Sequence, residues 1–107
     1  MANTFINKAA ASVTTITTIY TVPAATTSVV TGLNIANTAG SDTTATVTIV
    51  KSVGSVTALI VSSTPIPANS NLAVLSNNNR LVLMTGDVLK VTAAGSCDVF
   101  LSAMEVT

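Results

Sequence analysis

The chain of 107 residues is long enough for one domain with one hydrophobic core, and 49% of its residues are apolar while only 7% are charged. Intrinsically disordered chains combine high charge with low hydrophobicity, so this composition excludes them. Four cationic and four anionic residues cancel, and the cations lie far apart in the sequence, which excludes a nucleic-acid-binding surface built from clustered lysines and arginines.

Hydroxyl and amide side chains replace the missing charges, with 19 Thr, 11 Ser and 9 Asn. Threonine and valine restrict χ1 against the preceding helical turn and are enriched in strands. The chain is therefore predicted to be all-β. A freely soluble monomer usually carries a net charge that opposes association, so this neutral and apolar composition favours a protein that works inside an assembly.

Residues 1–12 are predicted to form an N-terminal arm, followed by a domain over residues 13–107. Within the arm, Phe5 and Ile6 are large apolar residues among small and polar ones. Either these two side chains cover the bottom of the domain's own core, or they dock on a neighbouring subunit. A tail of this length is long for a simple lead into a strand.

The first half of the domain alternates apolar and polar residues with the period of a strand. One strand is predicted over residues 13–22, with Ile16, Tyr20 and Val22 on one face and Pro23 closing it. A second strand is predicted over 28–36, and a third over 44–52. Because Gly54 and Ser55 form a short turn, the run over 56–63 is predicted to be the hairpin partner of the third strand.

Turn residues punctuate the second half. Pro65 and Pro67 predict an edge strand or a crossing between sheets, because proline cannot donate to a ladder. A short strand over 72–75 and an exposed turn at residues 77–79, three asparagines, are predicted next.

A two-residue β-hairpin is predicted over residues 80–91, with Gly86 and Asp87 as its loop. Its apolar face would lie on the core and consists of Val82, Met84, Leu89 and Val91. Asp87 is predicted to be a turn former whose side chain bonds backbone amides, and not a catalytic residue.

The last run, over residues 97–106, is apolar on both faces. Val99 and Leu101 lie on one face, and Phe100, Met104 and Val106 lie on the other. Such a strand is predicted to be central in its sheet and covered on both sides, with Phe100 in the core. In total, about eight short strands predict a single-domain antiparallel β-sandwich, with jelly-roll or immunoglobulin-like connectivity left open.

The residue inventory argues against catalysis, since the chain has no His and a single Cys. Nucleophile–base pairs of the common types are therefore absent, and no intrachain disulfide or thiolate metal site can form. Cys97 is predicted to be a small buried hydrophobe. No cofactor or metal is expected.

No apolar run reaches the roughly 18 residues of a membrane span, and no signal-peptide core follows Lys8. Synthesis in a cytoplasm and no membrane partner are therefore expected.

Five segments together resemble a known family in their order and spacing: IYTVPA at 19–24, VTGLNIAN at 30–37, IPANSNL at 66–72, LVLMTGDVLKV at 81–91 and LSAMEVT at 101–107. They are similar to the small virion structural proteins of tailed bacteriophages, particularly phages of marine bacteria and cyanobacteria. The resemblance implies a β-sandwich subunit present in many copies on a capsid or tail, and it brings no catalytic residues.

The functional hypothesis is a capsid decoration or cement subunit that stabilises a virion by bridging neighbouring subunits. Its partners would be the major capsid protein or other virion subunits, and it would form a homo-oligomer, with a trimer favoured. Phe5, Ile6 and Tyr20 are the predicted interaction residues. One alternative is a tail tube, baseplate or fibre-associated domain. The other is a carbohydrate-binding adhesion module that uses an exposed Tyr20 or a polar cleft among Asn34, Asn37 and Asn69.

Overall fold

The computed structural model describes residues 3–75 and 80–107, and this part of the chain forms nine β-strands. The strands are β1 (Asn3–Val13), β2 (Thr17–Thr21), β3 (Thr27–Asn37), β4 (Thr43–Val50), β5 (Thr57–Ile66), β6 (Asn71–Ala73), β7 (Leu81–Leu83), β8 (Val88–Ala93) and β9 (Cys97–Val106). The all-β prediction is confirmed. The turn predicted at residues 77–79 lies outside the described residues.

The strands form two antiparallel sheets. Sheet A has the order β1-β9-β3, with β6 and β7 pairing with different parts of β3. Sheet B has the order β2-β8-β4-β5. The predicted β-sandwich is therefore confirmed.

The pairing pattern defines the connectivity that the sequence left open. The first strand pairs with the last, β2 pairs with β8, β3 pairs with β6 and β7, and β4 pairs with β5. This is one long antiparallel ribbon, closed by the β4–β5 hairpin and rolled into two facing sheets. Such a ribbon is the jelly roll.

The core lies between the inner faces of the two sheets. In β4, Ala45, Val47 and Ile49 are buried between half-buried threonines, as the alternation predicts. The predicted hairpin between this strand and β5 is confirmed. Cys97 is fully buried and free, as predicted. The prolines also act as predicted, since Pro65 lies in the edge strand β5 and the chain crosses to sheet A after it.

The predicted hairpin over residues 80–91 is wrong. Strand β7 pairs with β3 in sheet A, whereas β8 pairs with β2 and β4 in sheet B, so Gly86 and Asp87 connect the two sheets. Val82 and Met84 consequently lie on the surface, and Leu83 is the buried residue of β7. The predicted inward residues of β8, Leu89 and Val91, are buried, whereas the inward face of β7 was predicted the wrong way round. The reason is that the rolled ribbon pairs strands that are distant in sequence.

The Asp87 carboxylate is fully buried at this crossing. It accepts hydrogen bonds from Lys51 Nζ at 2.6 Å, from the Met84 amide at 2.9 Å and from the Ser52 amide at 3.1 Å. The predicted turn-forming role is confirmed, and the side chain does more than close its own turn. It also joins the β7–β8 crossing to the end of β4.

Gly86 brings the same crossing close to a third segment. Its amide donates to the Val22 carbonyl oxygen at 3.0 Å, and the Val22 amide donates to the Asp87 carbonyl oxygen at 3.0 Å. The φ of Gly86 is 85°, and a Cβ at this position would lie 2.8 Å from the Ser52 Cβ. Both the backbone conformation and the close approach therefore require glycine.

The electrostatics of Asp87 make this crossing sensitive to acid. Burial alone would raise the pKa of the carboxyl group, but the hydrogen bonds from Lys51, Met84 and Ser52 and the charge of Lys51 lower that pKa below its ordinary value. A lowered pKa in the folded state adds stability that is fully present above the unfolded pKa of about 3.9. This stability is lost as the pH falls through the folded value.

We expect Asp87→Ala to lower the free energy of unfolding at pH 7 by about 2–4 kcal/mol, because two backbone amides lose their acceptor. The stability of this variant should also depend less on pH below pH 4. Urea unfolding over a pH series measures both effects. The matched control is Asp42→Ala, since Asp42 is exposed and accepts one bond, from the Ala68 amide at 3.0 Å. Equal losses in the two variants would contradict the role of the crossing.

The predicted arm over residues 1–12 differs from the structure. Residues 3–13 form β1, which pairs with β9 from Asn3 opposite Val106 to Val13 opposite Cys97, so the predicted boundary falls inside a strand. Ile6 packs against the core, as the first alternative proposed, whereas Phe5 is 80% exposed. Asparagine and alanine are poor strand formers, and here the long-range pairing overrides local propensity.

We expect deletion of residues 2–12 to lower the free energy of unfolding by roughly 3 kcal/mol or more, because β9 loses a ladder partner and Ile6 no longer covers the core. Urea unfolding measures the change. Ile16→Ser is the control and should shift stability by less than about 0.5 kcal/mol, because its side chain is 71% exposed. An unchanged midpoint after the deletion would restore the interpretation of a detached arm.

Candidate interaction surface

The described residues show no clustered metal ligands. Within residues 3–75 and 80–107, no three His, Cys, Asp or Glu side chains group together in a way that could hold an ion. In the same ranges, no helix has the length and apolar character needed to cross a bilayer. The features that distinguish the surface are exposed apolar side chains.

Tyr20 does not belong to this surface. A bulge between Thr18 and Tyr20 in β2 turns both Ile19 and Tyr20 inward, and Tyr20 is 2% exposed. Its hydroxyl donates to Glu105 Oε2 at 2.6 Å, which links sheet B to strand β9 of sheet A. The prediction of Tyr20 as an interaction residue requires an exposed ring, and the structure buries it.

The surroundings of Tyr20 keep its hydroxyl protonated. Burial and the hydrogen bond to the Glu105 carboxylate outweigh the opposing contact with Ser28 and raise the pKa of Tyr20 to about 12. The ordinary value is 10.0. A raised pKa adds stability that is fully present below the unfolded value and is lost as the pH rises through the folded value.

We expect Tyr20→Phe to lower the free energy of unfolding at pH 7 by about 1–2 kcal/mol, because the part-buried Glu105 carboxylate loses its donor. The parent should also lose stability between about pH 10 and pH 12, and the variant should not. Chemical unfolding at neutral and alkaline pH measures both. Thr17→Val on the same strand removes a hydroxyl that bonds only locally, to the Thr15 carbonyl oxygen, and is the control. Identical alkaline profiles for Tyr20→Phe and the parent would contradict this assignment.

The polar cleft predicted among Asn34, Asn37 and Asn69 does not form. Asn37 is buried, and its side-chain amide donates to the carbonyl oxygens of Ser41 at 2.9 Å and Ile66 at 3.0 Å. Asn34 lies on the opposite face of β3. The carbohydrate-binding hypothesis therefore loses both Tyr20 and this cleft.

Strand β9 is central in sheet A, as predicted, and presents apolar side chains to both sides. Val99 and Leu101 point into the core. Phe100 and Met104 point outward, and Phe100 is 49% exposed. None of the elements in the described part of the chain lies over this outer face. The prediction that the chain covers β9 on both sides is therefore wrong, as is the core position of Phe100.

The strand register arranges the outer face of sheet A in rows. A first row, here called the projecting row, crosses β1, β9, β3 and β7 and consists of Phe5, Met104, Val29 and Val82. A second row crosses β1, β9, β3 and β6 and consists of Ala9, Phe100, Asn34 and Ala73. It is called the recessed row because its ends, Ala9 and Ala73, are short side chains, although Phe100 projects at its middle. Directly opposed side chains on neighbouring strands are in contact range, so the projecting row is a continuous apolar ridge.

Two shallow concavities lie on this face beside Phe100. The larger, of about 430 Å³, is lined mainly by Ala9, Ala11 and Ala36 and ends at Asp98. The smaller, of about 280 Å³, lies between Phe5 and Phe100. Asp98 is the only charged residue at an outward position of the sheet A strands, all of which the structure describes, and it accepts a bond from the Ser12 amide at 3.0 Å.

The outer face of sheet B has a different character. Its central strands carry threonines, one cation and one valine pair, with Thr46 opposite Thr92, Thr48 opposite Lys90 and Val50 opposite Val88. On the edge strand β5, Leu59 is 60% exposed. Ile16, which is 71% exposed, borders this face. The two outer faces of the sandwich therefore differ in that apolar side chains alternate with threonines and a lysine on sheet B, whereas on sheet A they form a row of four.

Of the predicted interaction residues, only Phe5 lies on the apolar face. Ile6 points to the core and Tyr20 is buried. Sequence reasoning missed Met104, Phe100 and Val82 as surface residues. The signal that could have found the first two is the apolar pattern on both faces of residues 97–106.

No protein-family model and no curated protein sequence matches the chain. A solved structure with a similar fold is that of Bacillus endospore appendages, described as a novel family of disulfide-linked pili. The two chains superpose with a TM-score of 0.57 at 14% sequence identity, over 99% of this chain and 87% of the other. At this identity the likeness shows a shared fold alone.

Proposed function

We propose that this chain is a non-enzymatic structural subunit of a bacteriophage virion, and that it acts as a capsid decoration or cement protein. The observation that carries the proposal is the apolar outer face of sheet A, which the described part of the chain leaves uncovered. Exposed apolar patches of this extent mark interaction sites in soluble proteins. A subunit bound through such a face stabilises a particle by adding buried area where neighbouring subunits meet.

Three further features support a virion role. The chain has no net charge, so little repulsion opposes dense packing. The jelly roll is a fold that viral capsid proteins use. The five segments that resemble phage structural proteins run from residue 19 to residue 107. The partners would be the major capsid protein or other virion subunits, without nucleic acid or membrane, and synthesis would take place in the host cytoplasm.

The second candidate is a subunit of a fibrous assembly, either a phage tail structure or a pilus-like appendage. The likeness to the endospore appendage structure favours it. Those appendages are disulfide-linked pili, whereas this chain has one cysteine and the structure buries it completely. Burial, followed by the nearby Asp98 charge, also raises the pKa of the Cys97 thiol. Cys97 is therefore poorly placed to form a disulfide with another subunit.

Copy number in purified particles separates the two candidates. For a decoration protein we expect hundreds of copies per particle by quantitative mass spectrometry, because a capsid lattice repeats its sites many times. A baseplate or fibre-associated component would be present in on the order of three to twelve copies, since the tail axis has low cyclic symmetry. A tube or pilus-like subunit repeats along its filament and would be recognised by the filaments it forms. Absence of the chain from particles, or long filaments formed by the purified chain alone, would contradict the decoration role.

The face used for attachment can be tested in the same particles. We expect Phe5→Ser to reduce occupancy at least about tenfold, since a large aromatic ring buried in an interface contributes about 2 kcal/mol or more when it is an anchor residue. Ile16→Ser removes a comparably exposed side chain beside sheet B and should leave occupancy unchanged. Loss of occupancy with the Ile16 variant and not with the Phe5 variant would place attachment on sheet B and overturn the assignment.

A further inference from the structure

The central strand of sheet A lacks a cover for one of its two apolar faces. The Phe100 ring of β9 is 49% exposed, and the Phe5 ring on the neighbouring strand is 80% exposed. A strand that is apolar on both faces is typical of a sheet with a layer on each side. The described chain supplies one layer, so the second layer must come from another molecule if this face is to be buried.

We propose that the second layer is the same face of a second copy of this chain, packed about a two-fold axis. The axis would run across the strands along the row that lies between the projecting and recessed rows. This middle row consists of Asn7, Ser102 and Gly32. The inference does not rest on the virion role. The pair would form in the free chain, and attachment to a particle through the same face would require the pair to separate.

Along strand β1 the face is complementary to itself under this rotation. A half-turn about the middle row places the projecting row of one copy over the recessed row of the other. Phe5 of each copy then lies over Ala9 of its partner, at the concavity of about 430 Å³. Met104 lies over Phe100, and a thioether beside an aromatic ring is a favourable contact. The axis repeats the contact between residue 5 and residue 9 on both copies, as an isologous interface requires.

The charge distribution permits the same rotation. A two-fold axis brings each residue on it next to its own copy, so a charged residue there would meet a like charge. The middle row carries only an amide, a hydroxyl and a glycine. Asp98, the one charge at an outward position of these described strands, lies beyond Phe100 at the end of the face and remains at the rim.

The size of the face is close to what a stable dimer needs. Strand β9 has 10 residues, which is roughly 34 Å of strand, and four strands side by side span roughly 19 Å. The flat footprint is therefore roughly 600 Å², before the relief of the side chains is counted, against about 800 Å² per partner in a standard interface. The outer face of sheet B offers no comparable apolar row.

The first test is the mass of the purified chain, measured by light scattering across a concentration series. We expect twice the 10.7 kDa of the chain. Phe5→Glu and Ala9→Lys should each reduce the mass to that of one chain, because the first places a charge in the concavity and the second fills it. Ile16→Glu is the matched control on the other side and should remain dimeric. Circular dichroism and thermal unfolding of each variant verify that the chain is folded.

Mixing the two monomeric variants tests the pairing of residue 5 with residue 9 directly. In the mixed dimer, Glu at position 5 of one copy faces Lys at position 9 of the other, and the second such contact is native. We therefore expect the mixture to form a heterodimer. Within one copy the two positions are four residues apart, roughly 13 Å, so the rescue can arise only between copies.

Three results would overturn the proposal. A parent chain that is a monomer throughout the concentration series, or a trimer, excludes the two-fold pair. A dimer that persists in folded Phe5→Glu and Ala9→Lys places the interface elsewhere. Monomeric variants that fail to combine on mixing show that residues 5 and 9 do not meet across the axis.

Discussion

The position of β9 between β1 and β3 is the constraint on which the rest of the structure depends. Because the last strand pairs with the first, the chain closes into a rolled ribbon whose middle is the β4–β5 hairpin. The inner side chains of β9, including Val99 and Leu101, then fill the core. Its outer side chains form the centre of an apolar face, so one strand determines both how the chain folds and where it can bind.

Several of the few charges of the chain hold the sandwich together. Asp87 and Lys51 pair at a crossing between sheets, and Glu105 accepts the Tyr20 hydroxyl across the core. These two contacts hold the chain in place where it passes from one sheet to the other. At such points the backbone hydrogen bonds between neighbouring strands end. As a consequence, the outer face of sheet A has one carboxylate, at its end, and can approach an uncharged partner closely without desolvating an ion.

The sequence predicted what depends on local pattern and missed what depends on pairing over long distances. The β4–β5 hairpin and the crossing after Pro65 were correct, because the turn residues and the alternating strands lie next to each other. The hairpin at Gly86 was wrong, since a glycine turn that joins two strands of one sheet looks the same as one that joins two sheets. The inward position of Tyr20 follows from a bulge, which alternation cannot show.

The candidate site was predicted only in part. The exposure of a side chain on a strand depends on whether another layer of the structure covers that face, and the strand's own sequence does not show this. Phe5 was identified as an interaction residue, and the two apolar faces of residues 97–106 indicated that a second layer was needed. The sequence could not show that no part of the described chain forms this second layer.

Hydroxyl-radical footprinting of the native assembly tests most directly whether another molecule covers the face, with each residue's reactivity normalised to that in the unfolded chain. We expect Phe5 and Phe100 to be protected while Ile16 stays reactive, and equal reactivity at all three positions would contradict burial of the sheet A face.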